Sequence, residues 1–253
     1  MKVTFLGTGT SQGVPMIACN CSVCQSLDSR DKRLRSSVYI ETDKLAMVVD
    51  TGPDFRQQML REKITRLDAI LFTHDHKDHT AGLDDVRAYN HLQKKAMEVY
   101  AEDYVLETLR REYSYVFAKK KYPGVPKIHL NEISTQAFKV QNQLIEPIRG
   151  MHFKLPVLGF KVDNFAYITD MNFISDEEIE KIKGIDILVI NALRIEKHIS
   201  HFNLEEALAV IDKAKVKQAY LTHISHMLGH YSDLSKRLPD HVSLAYDGLS
   251  LKF

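Results

Sequence analysis

Long apolar runs, an excess of charge of either sign, and cysteine are all scarce in this chain of 253 residues. No window approaches the roughly 18 apolar residues of a membrane span. The apolar part of Met1-Lys2-Val3-Thr4-Phe5-Leu6-Gly7 is too short for a signal peptide. The expected location is therefore cytoplasmic, with no membrane partner. Lys and Arg number 34 against 33 Asp and Glu, a net charge of +1. That balance predicts no general affinity for polyanions. The short cluster Lys119-Lys120-Lys121 reads as a solvated face. Three cysteines, an odd number, argue against a disulfide framework and for thiolates with another task. No repeat, low-complexity segment or domain boundary is visible, so residues 1–253 are expected to form one domain.

What is present alternates. Strand-like runs occur at Lys2 to Leu6, Val38 to Glu41, Ala46 to Asp50, Ala69 to Thr73, Glu98 to Ala101, Gly159 to Val162, Ala166 to Thr169, Ile185 to Ile190, Gln218 to Thr222 and Val242 to Ala245. Helical patterns fall between them. Pro53 reads as a first helical position opening Asp54 to Glu62. Ser175-Asp176-Glu177-Glu178 has the capping-box pattern and opens Asp176 to Lys183. Asn203, with Glu206 three residues on, opens Leu204 to Lys213. Asp84 to Lys94 and Asp103 to Tyr113 complete the helices. The clearest loop, a candidate lid or linker, is Tyr115 to Pro126. This order suits an α/β chain with two sheets packed together and helices outside.

The most informative segment is His74-Asp75-His76-Lys77-Asp78-His79, directly after the apolar run Ala69-Ile70-Leu71-Phe72. Three imidazoles and two carboxylates in six residues have no good apolar use, and active sites collect at strand ends. In an extended segment residues i and i+2 point the same way. His74 and His76 are thus placed to grip one metal, while Asp78 and His79 reach a second. Two metals about 3.5–4 Å apart can hold a hydroxide between them and stabilise attacking and leaving oxygens. Six residues cannot complete two coordination spheres, and further ligands stand at other strand ends. His152 follows Ile148-Arg149-Gly150-Met151. Asp170 follows Phe165-Ala166-Tyr167-Ile168-Thr169, and its two oxygens suit a bridge. His223 follows Ala219-Tyr220-Leu221-Thr222. His91, His129, His230 and His241 read as packing or surface residues.

This set resembles the metallo-β-lactamase fold superfamily, whose signature is His-x-His-x-Asp-His followed by a later His, Asp and His. Phe5-Leu6-Gly7-Thr8-Gly9-Thr10-Ser11 looks like the opening strand and turn of its phosphodiesterase branch. Asp50-Thr51-Gly52 looks like the buried Asp-x-Gly that supports the metal loop. The resemblance implies an αββα sandwich of two mixed β-sheets, with the site along the sheets' shared edge. It also implies His74, His76 and His152 on one metal, Asp78, His79 and His223 on the other, and Asp170 between. Zn²⁺, Mn²⁺ and Fe²⁺ all suit such His/Asp sites.

Cys19-Asn20-Cys21-Ser22-Val23-Cys24 crowds three thiols into six residues. Cysteine metal sites use four ligands, and no fourth cysteine exists. His226, three residues after His223, is the expected fourth ligand of a structural zinc site. Cys-x-Cys-x-x-Cys with such a histidine, behind Gly9-Thr10-Ser11-Gln12-Gly13-Val14-Pro15, is similar to the PhnP family of 5-phosphoribosyl 1,2-cyclic phosphate phosphodiesterases. His198-Ile199-Ser200-His201-Phe202-Asn203 stands before a capped helix. A phosphodiesterase gains from a positioned proton donor. His201, in a segment resembling that family's His-Phe-Asn-Leu, is favoured over His198. Asp78 is a ligand that also holds a proton of the attacking water.

The expected protein is a metal-dependent phosphodiesterase acting on a small cyclic or diester phosphate. It would carry two divalent ions (Zn or Mn) and one structural zinc, and form a homodimer. The alternatives are a nuclease similar to the tRNA 3′-processing endonuclease, or a non-catalytic metal-binding or carrier protein of the same fold. The nuclease is less favoured, because no long basic arm is visible and phosphate-backbone binding draws on clustered Lys and Arg.

Overall fold

The computed structural model describes residues 1–253. Two mixed sheets carry all the strands. The first runs, neighbour to neighbour, Ser250–Lys252, Lys2–Gly7, Ser37–Glu41, Ala46–Val49, Ala69–Leu71, Met97–Ala101 and Ile128–Glu132. The second runs Phe173–Ile174, Gln143–His152, Leu155–Val162, Phe165–Ile168, Ile187–Asn191, Gln218–Thr222 and Val242–Leu244, with Phe138–Val140 also pairing Gln143–His152.

Alternation along the strands separates three apolar layers. Phe5, Ile40, Met47, Val49 and Leu71 of the first sheet meet Leu158, Phe160, Tyr167 and Val189 of the second in a fully buried central layer. The residues between them face outward. Leu6, Val48, Ile70 and Phe72 lie against Phe55, Met59, Val86, Leu106 and Leu109 from the helices over the first sheet. Ala166, Ile168, Leu188 and Ile190 lie against Ile179, Ala207, Ile211 and Ala214 over the second. The result is the expected αββα sandwich.

Helices Asp103–Glu112 and Asp176–Lys181 form within the expected segments, and Leu204–Ala214 runs one residue past its expected end. Ser175 accepts from the Glu178 amide, and Asn203 and Glu206 form a reciprocal capping box. Two expectations are corrected. Pro53 lies in the turn before helix Phe55–Arg61, and does not open it. The Asp54 side chain is taken by the Arg35 amide (2.8 Å) and guanidinium (3.1 Å). The Tyr115 to Pro126 segment begins as a short helix, Ser114–Phe117, and only its remainder is irregular.

Strand Gln143–His152, which delivers a site histidine, begins well before the Ile148 to Met151 run that precedes His152, and takes in Pro147, a residue that central strands exclude. Pro147 pairs with Phe160 on one side only. On its other side it falls between the stretch paired to Phe138–Val140 and the stretch paired to Phe173–Ile174. A missing amide there leaves no ladder bond unmade. The exposed edge strand Ile128–Glu132 was missed for want of a buried face.

The opening turn reaches the far end of the chain. Thr10 donates to the Ile224 carbonyl (3.1 Å) and Ile224 to the Thr8 carbonyl (2.9 Å). The turn thereby lies beside the His223 to His226 segment, more than 200 residues on. No helix is long and apolar enough to cross a membrane.

Candidate metal centre

Asp50, His74, His152, Asp170 and His223 all lie at or just beyond strand ends. The Leu158 amide bonds to the Thr73 carbonyl (3.0 Å), which joins the two sheets at this edge. Asp50, Asp170 and His223 each have left-handed φ, of 65°, 57° and 54°. Such a backbone costs a non-glycine residue about 1–2 kcal/mol. It turns the chain sharply at the end of a strand, and residues so strained cluster at functional sites.

Asp50 is fully buried and organises the first half of the site. Its Oδ1 accepts from the Thr73 amide (2.9 Å) and its Oδ2 from the Thr73 hydroxyl (2.9 Å). That hydroxyl has given its proton away, so it accepts from His74 Nδ1 at 2.9 Å. His79 Nδ1 donates to Asp50 Oδ2 at 2.7 Å. His152 Nδ1 donates to the Ser200 carbonyl at 2.9 Å. In all three rings Nδ1 carries the proton, so Nε2 presents a lone pair, as a metal-binding imidazole requires. Thr73 and the Ser200 carbonyl were not singled out from the sequence, although a hydroxyl directly before the ligand cluster was a usable signal.

The freed nitrogens converge. Nε2 of His74, His79 and His223 is in each case buried and without a hydrogen-bond partner. His79 Nε2 lies 3.1 Å from Asp78 Oδ2 and 3.2 Å from Asp170 Oδ2. A lone pair facing two carboxylates inside a dry pocket is repulsive unless a cation stands among them. His223 Nδ1 and His201 Nε2 approach the two oxygens of Asp170, at 3.0 and 3.1 Å.

Three ligand groups share Asp170: with His74 and His79, with His152 and His201, and with Asp78 and His223. These cut across the two expected triads. Helix Lys77–Thr80 folds His79 back so that its ring lies 4.3 Å from that of His74. His76 is exposed and joins none of the groups, its ring 4.6 Å from His74 and 5.1 Å from His152. His201, expected as a proton donor, stands in direct contact with Asp170.

Charge follows geometry. Burial and the neighbouring His79 hold His74 well below the ordinary imidazole range, and burial takes His152 down to about 4. Burial works against the ionised forms of Asp78 and Asp170, but His79 beside Asp78, and His223 and His79 beside Asp170, hold both carboxylates low. Burial likewise opposes the charged form of His79, but Asp78, Asp170 and Asp50 outweigh it and raise its pKa. His74 and His152 are thus neutral beside ionised carboxylates, while His79, whose protonated form the three carboxylates favour, would release its Nε2 proton as a divalent cation binds.

Gly52 sets the height of the metal loop. A Cβ there would stand 2.1 Å from the Asp78 carbonyl oxygen. Thr51, next to it, donates to the His79 carbonyl and accepts from Gly82, both at 2.8 Å. Gly52→Ala is expected to push the Asp78 turn outward and destabilise the protein by about 1–3 kcal/mol. Urea unfolding with parallel metal analysis checks this, and unchanged values for both would contradict it.

The cysteines form a second cluster. The Sγ atoms of Cys19, Cys21 and Cys24 lie 3.3, 3.2 and 3.6 Å from His226 Nδ1. Ligands on a tetrahedral zinc, with Zn–S about 2.3 Å and Zn–N about 2.0–2.1 Å, stand about 3.5 Å apart. The Cys24 amide donating to Cys21 Sγ (3.4 Å), then His226, takes the Cys21 thiol down to about 6. Burial pushes Cys24 up to about 11. His230 Nε2 lies 3.0 Å from Ser22 Oγ, beside the cysteine loop.

An αββα sandwich with convergent histidines and carboxylates at the sheets' shared edge is the architecture of the metallo-β-lactamase fold. The model of the β-lactamase superfamily domain matches residues 46–224. The chain is 36% identical to a diphosphatase from the PhnP family, whose crystal structure superposes with a TM-score of 0.93 over 100% of this chain and 97% of that one. It is 43% identical over 252 residues to an octanoyltransferase of Porphyromonas gingivalis, covering 98% of this chain and 51% of that protein. The chain thus spans about half the length of that relative. It is also 26% identical to an exodeoxyribonuclease of Bacillus anthracis, over 74% of this chain and 77% of the relative. The chain belongs to the β-lactamase superfamily, on its PhnP-like branch.

Proposed function

We propose that this protein is a two-metal phosphodiesterase hydrolysing a small cyclic or diester phosphate. One observation carries the reading: Nε2 atoms whose tautomers are set by Asp50 and the Ser200 carbonyl converge on Asp170, Asp78 and each other. His74, His76, His79, His152, His223, Asp78 and Asp170 would hold two divalent ions, Zn or Mn. When bound, such a pair lowers the pKa of a water toward neutrality and neutralises phosphate oxygens.

The chain's own residues do the rest. Asp78, 14% exposed, is the ligand carboxylate open to the surface and is placed to hold a proton of the attacking water. His201 faces Asp170 through Nε2, and its Nδ1 lies 3.0 Å from Ser200 Oγ and 3.1 Å from His198 Nδ1. Held at both ends, the ring keeps its orientation. Burial lowers its pKa and the bond to Asp170 works against that. His201 is the group that hands a proton to the departing oxygen. His201→Ala should lower kcat by about 10²–10⁴-fold with metal content unchanged. The loss should be larger for an alkoxide leaving group than for p-nitrophenolate. Equal losses on both would remove His201 from proton transfer.

The deciding experiment is a screen on metal-defined protein. It compares bis(p-nitrophenyl) phosphate, a 2′,3′-cyclic nucleotide, a ribose cyclic phosphate, a diphosphate and an acyl thioester. Turnover of the esters supports this reading, and turnover of the thioester alone would replace it. The PhnP-family diphosphatase relative favours a phosphoanhydride as the second substrate class.

We further assign a structural zinc to Cys19, Cys21, Cys24 and His226, a third metal per chain. The chain is taken as one hydrolase domain over 1–253, acting as a homodimer in the cytoplasm. Cys21→Ser is expected to remove one ion per chain and lower Tm by several degrees, read by elemental analysis and calorimetry. Three ions retained in the variant would contradict the assignment.

A further inference from the structure

The basic cluster Lys119-Lys120-Lys121 has no part in the site above, yet the fold gives it company. A cleft of about 630 Å³ lies between helix Arg87–Gln93 and the irregular segment before Ile128, with Arg87, Lys94 and Lys127 in its walls. A second cleft of about 560 Å³ shares Arg87, Gly124 and Val125 with it and adds Lys120, Tyr115 and Tyr122. Four permanent cations line the pair of clefts, with Asp85 beside them; Arg87 lies 3.6 Å from Asp84, and Lys94, Lys120 and Lys127 have no acidic partner.

The walls are held in place. Asn90 Nδ2 bonds the carbonyls of Lys95 and Lys127, both at 3.0 Å, and Asn90 Oδ1 accepts from the Lys127 amide at 2.9 Å. The Tyr115 hydroxyl donates to Asp84, fixing a ring that remains 45% exposed. Tyr122 is 81% exposed. Tyr113 bonds the Thr80 carbonyl at 2.8 Å, which fastens this wall to the helix carrying Asp78 and His79.

We propose that this double cleft docks single-stranded nucleic acid. Cations tracking a backbone, interleaved with exposed aromatic faces on which bases stack, are the two elements such binding uses. The occupant is favoured over a polyphosphate chain because Tyr115 and Tyr122 would have no role toward one. The inference rests on the phosphodiesterase reading, and extends its substrate class from small diesters to the diester linkages of a strand.

The test is fluorescence anisotropy with a labelled oligothymidylate on the metal-loaded protein across a salt series. Saturable binding at low salt is expected, its logarithm falling with log salt by about 0.7 per phosphate contact. The double variant K94E/K127E should lose at least about tenfold in affinity and flatten the salt slope by about 1.4. Tyr122→Ala should lose about 5- to 100-fold with the slope unchanged, the loss of one stacked base. Turnover of bis(p-nitrophenyl) phosphate should be unchanged in both variants. Absent binding by the wild type, or equal binding by K94E/K127E, would overturn the proposal. Inorganic polyphosphate binding as tightly, with Tyr122→Ala indistinguishable from wild type, would overturn it in favour of a polyphosphate site. Failure of bis(p-nitrophenyl) phosphate turnover in the wild type would instead count against the phosphodiesterase reading, whatever the anisotropy shows.

Discussion

Asp170→Asn should lower turnover of a diester by about 10³–10⁴-fold and reduce the metal content of the purified protein. Asp170 belongs to all three ligand groups of the centre. Its oxygens face His79 and His223 on one side and His201 on the other. An amide keeps the shape but removes the charge and one acceptor. The remaining oxygen cannot serve both sides, and the NH₂ meets a donor nitrogen. Charge stabilisation by a bound metal pair amounts to several kcal/mol, and each 1.36 kcal/mol is about tenfold in rate. Elemental analysis and steady-state kinetics read the two effects together. Wild-type metal content with wild-type turnover would show that Asp170 is not the bridge.

Asp50→Asn tests a residue that touches no substrate. In the wild type Asp50 accepts from the Thr73 amide, the Thr73 hydroxyl and His79 Nδ1. An asparagine must direct its NH₂ at one of these three donors. If it faces His79, the ring has to move its proton to Nε2 and lose the lone pair that faces Asp78 and Asp170. If it faces Thr73, the amide there is left unpaired in a fully buried site, which costs about 1–3 kcal/mol. Loss of such an orienting partner weakens metal binding by about 10- to 100-fold. Competition with a chelator measures that loss. Imidazole ¹⁵N shifts report the tautomer of His79, a readout that general destabilisation would not move. An unchanged His79 tautomer together with unchanged metal affinity would leave Asp50 only a packing role.

Much of the fold was legible because local pattern and tertiary role agree. Ala46 to Asp50, Ala69 to Thr73 and Ala166 to Thr169 are apolar runs that end on a chemically distinct residue. Such runs form central strands whichever sheet they join. Ser175 and Asn203 announced their helices by side chains that satisfy amides within three residues, a relation wholly internal to the segment. Where the deciding contact is remote, the sequence was mute. The full length of the strand that carries His152 is such a case, because nothing in the sequence says that Pro147 has a neighbour on one side only.

The site divides in the same way. The six-residue cluster, the cysteine triplet and the strand-end placement of His152, Asp170 and His223 are written in the sequence. They determine which donor atoms the protein owns and that they suit metals. The order in which those atoms meet was decided only by the tertiary structure. Left-handed turns at Asp50, Asp170 and His223, and the short helix that folds His79 against His74, depend on how two sheets meet at one edge. The cleft at Lys94, Lys120 and Lys127 depends likewise on tertiary packing, of helix Arg87–Gln93 against the segment before Ile128. Charge counted along the chain cancels to +1, but packing brings Lys94, Lys120 and Lys127, distant in sequence, to neighbouring clefts.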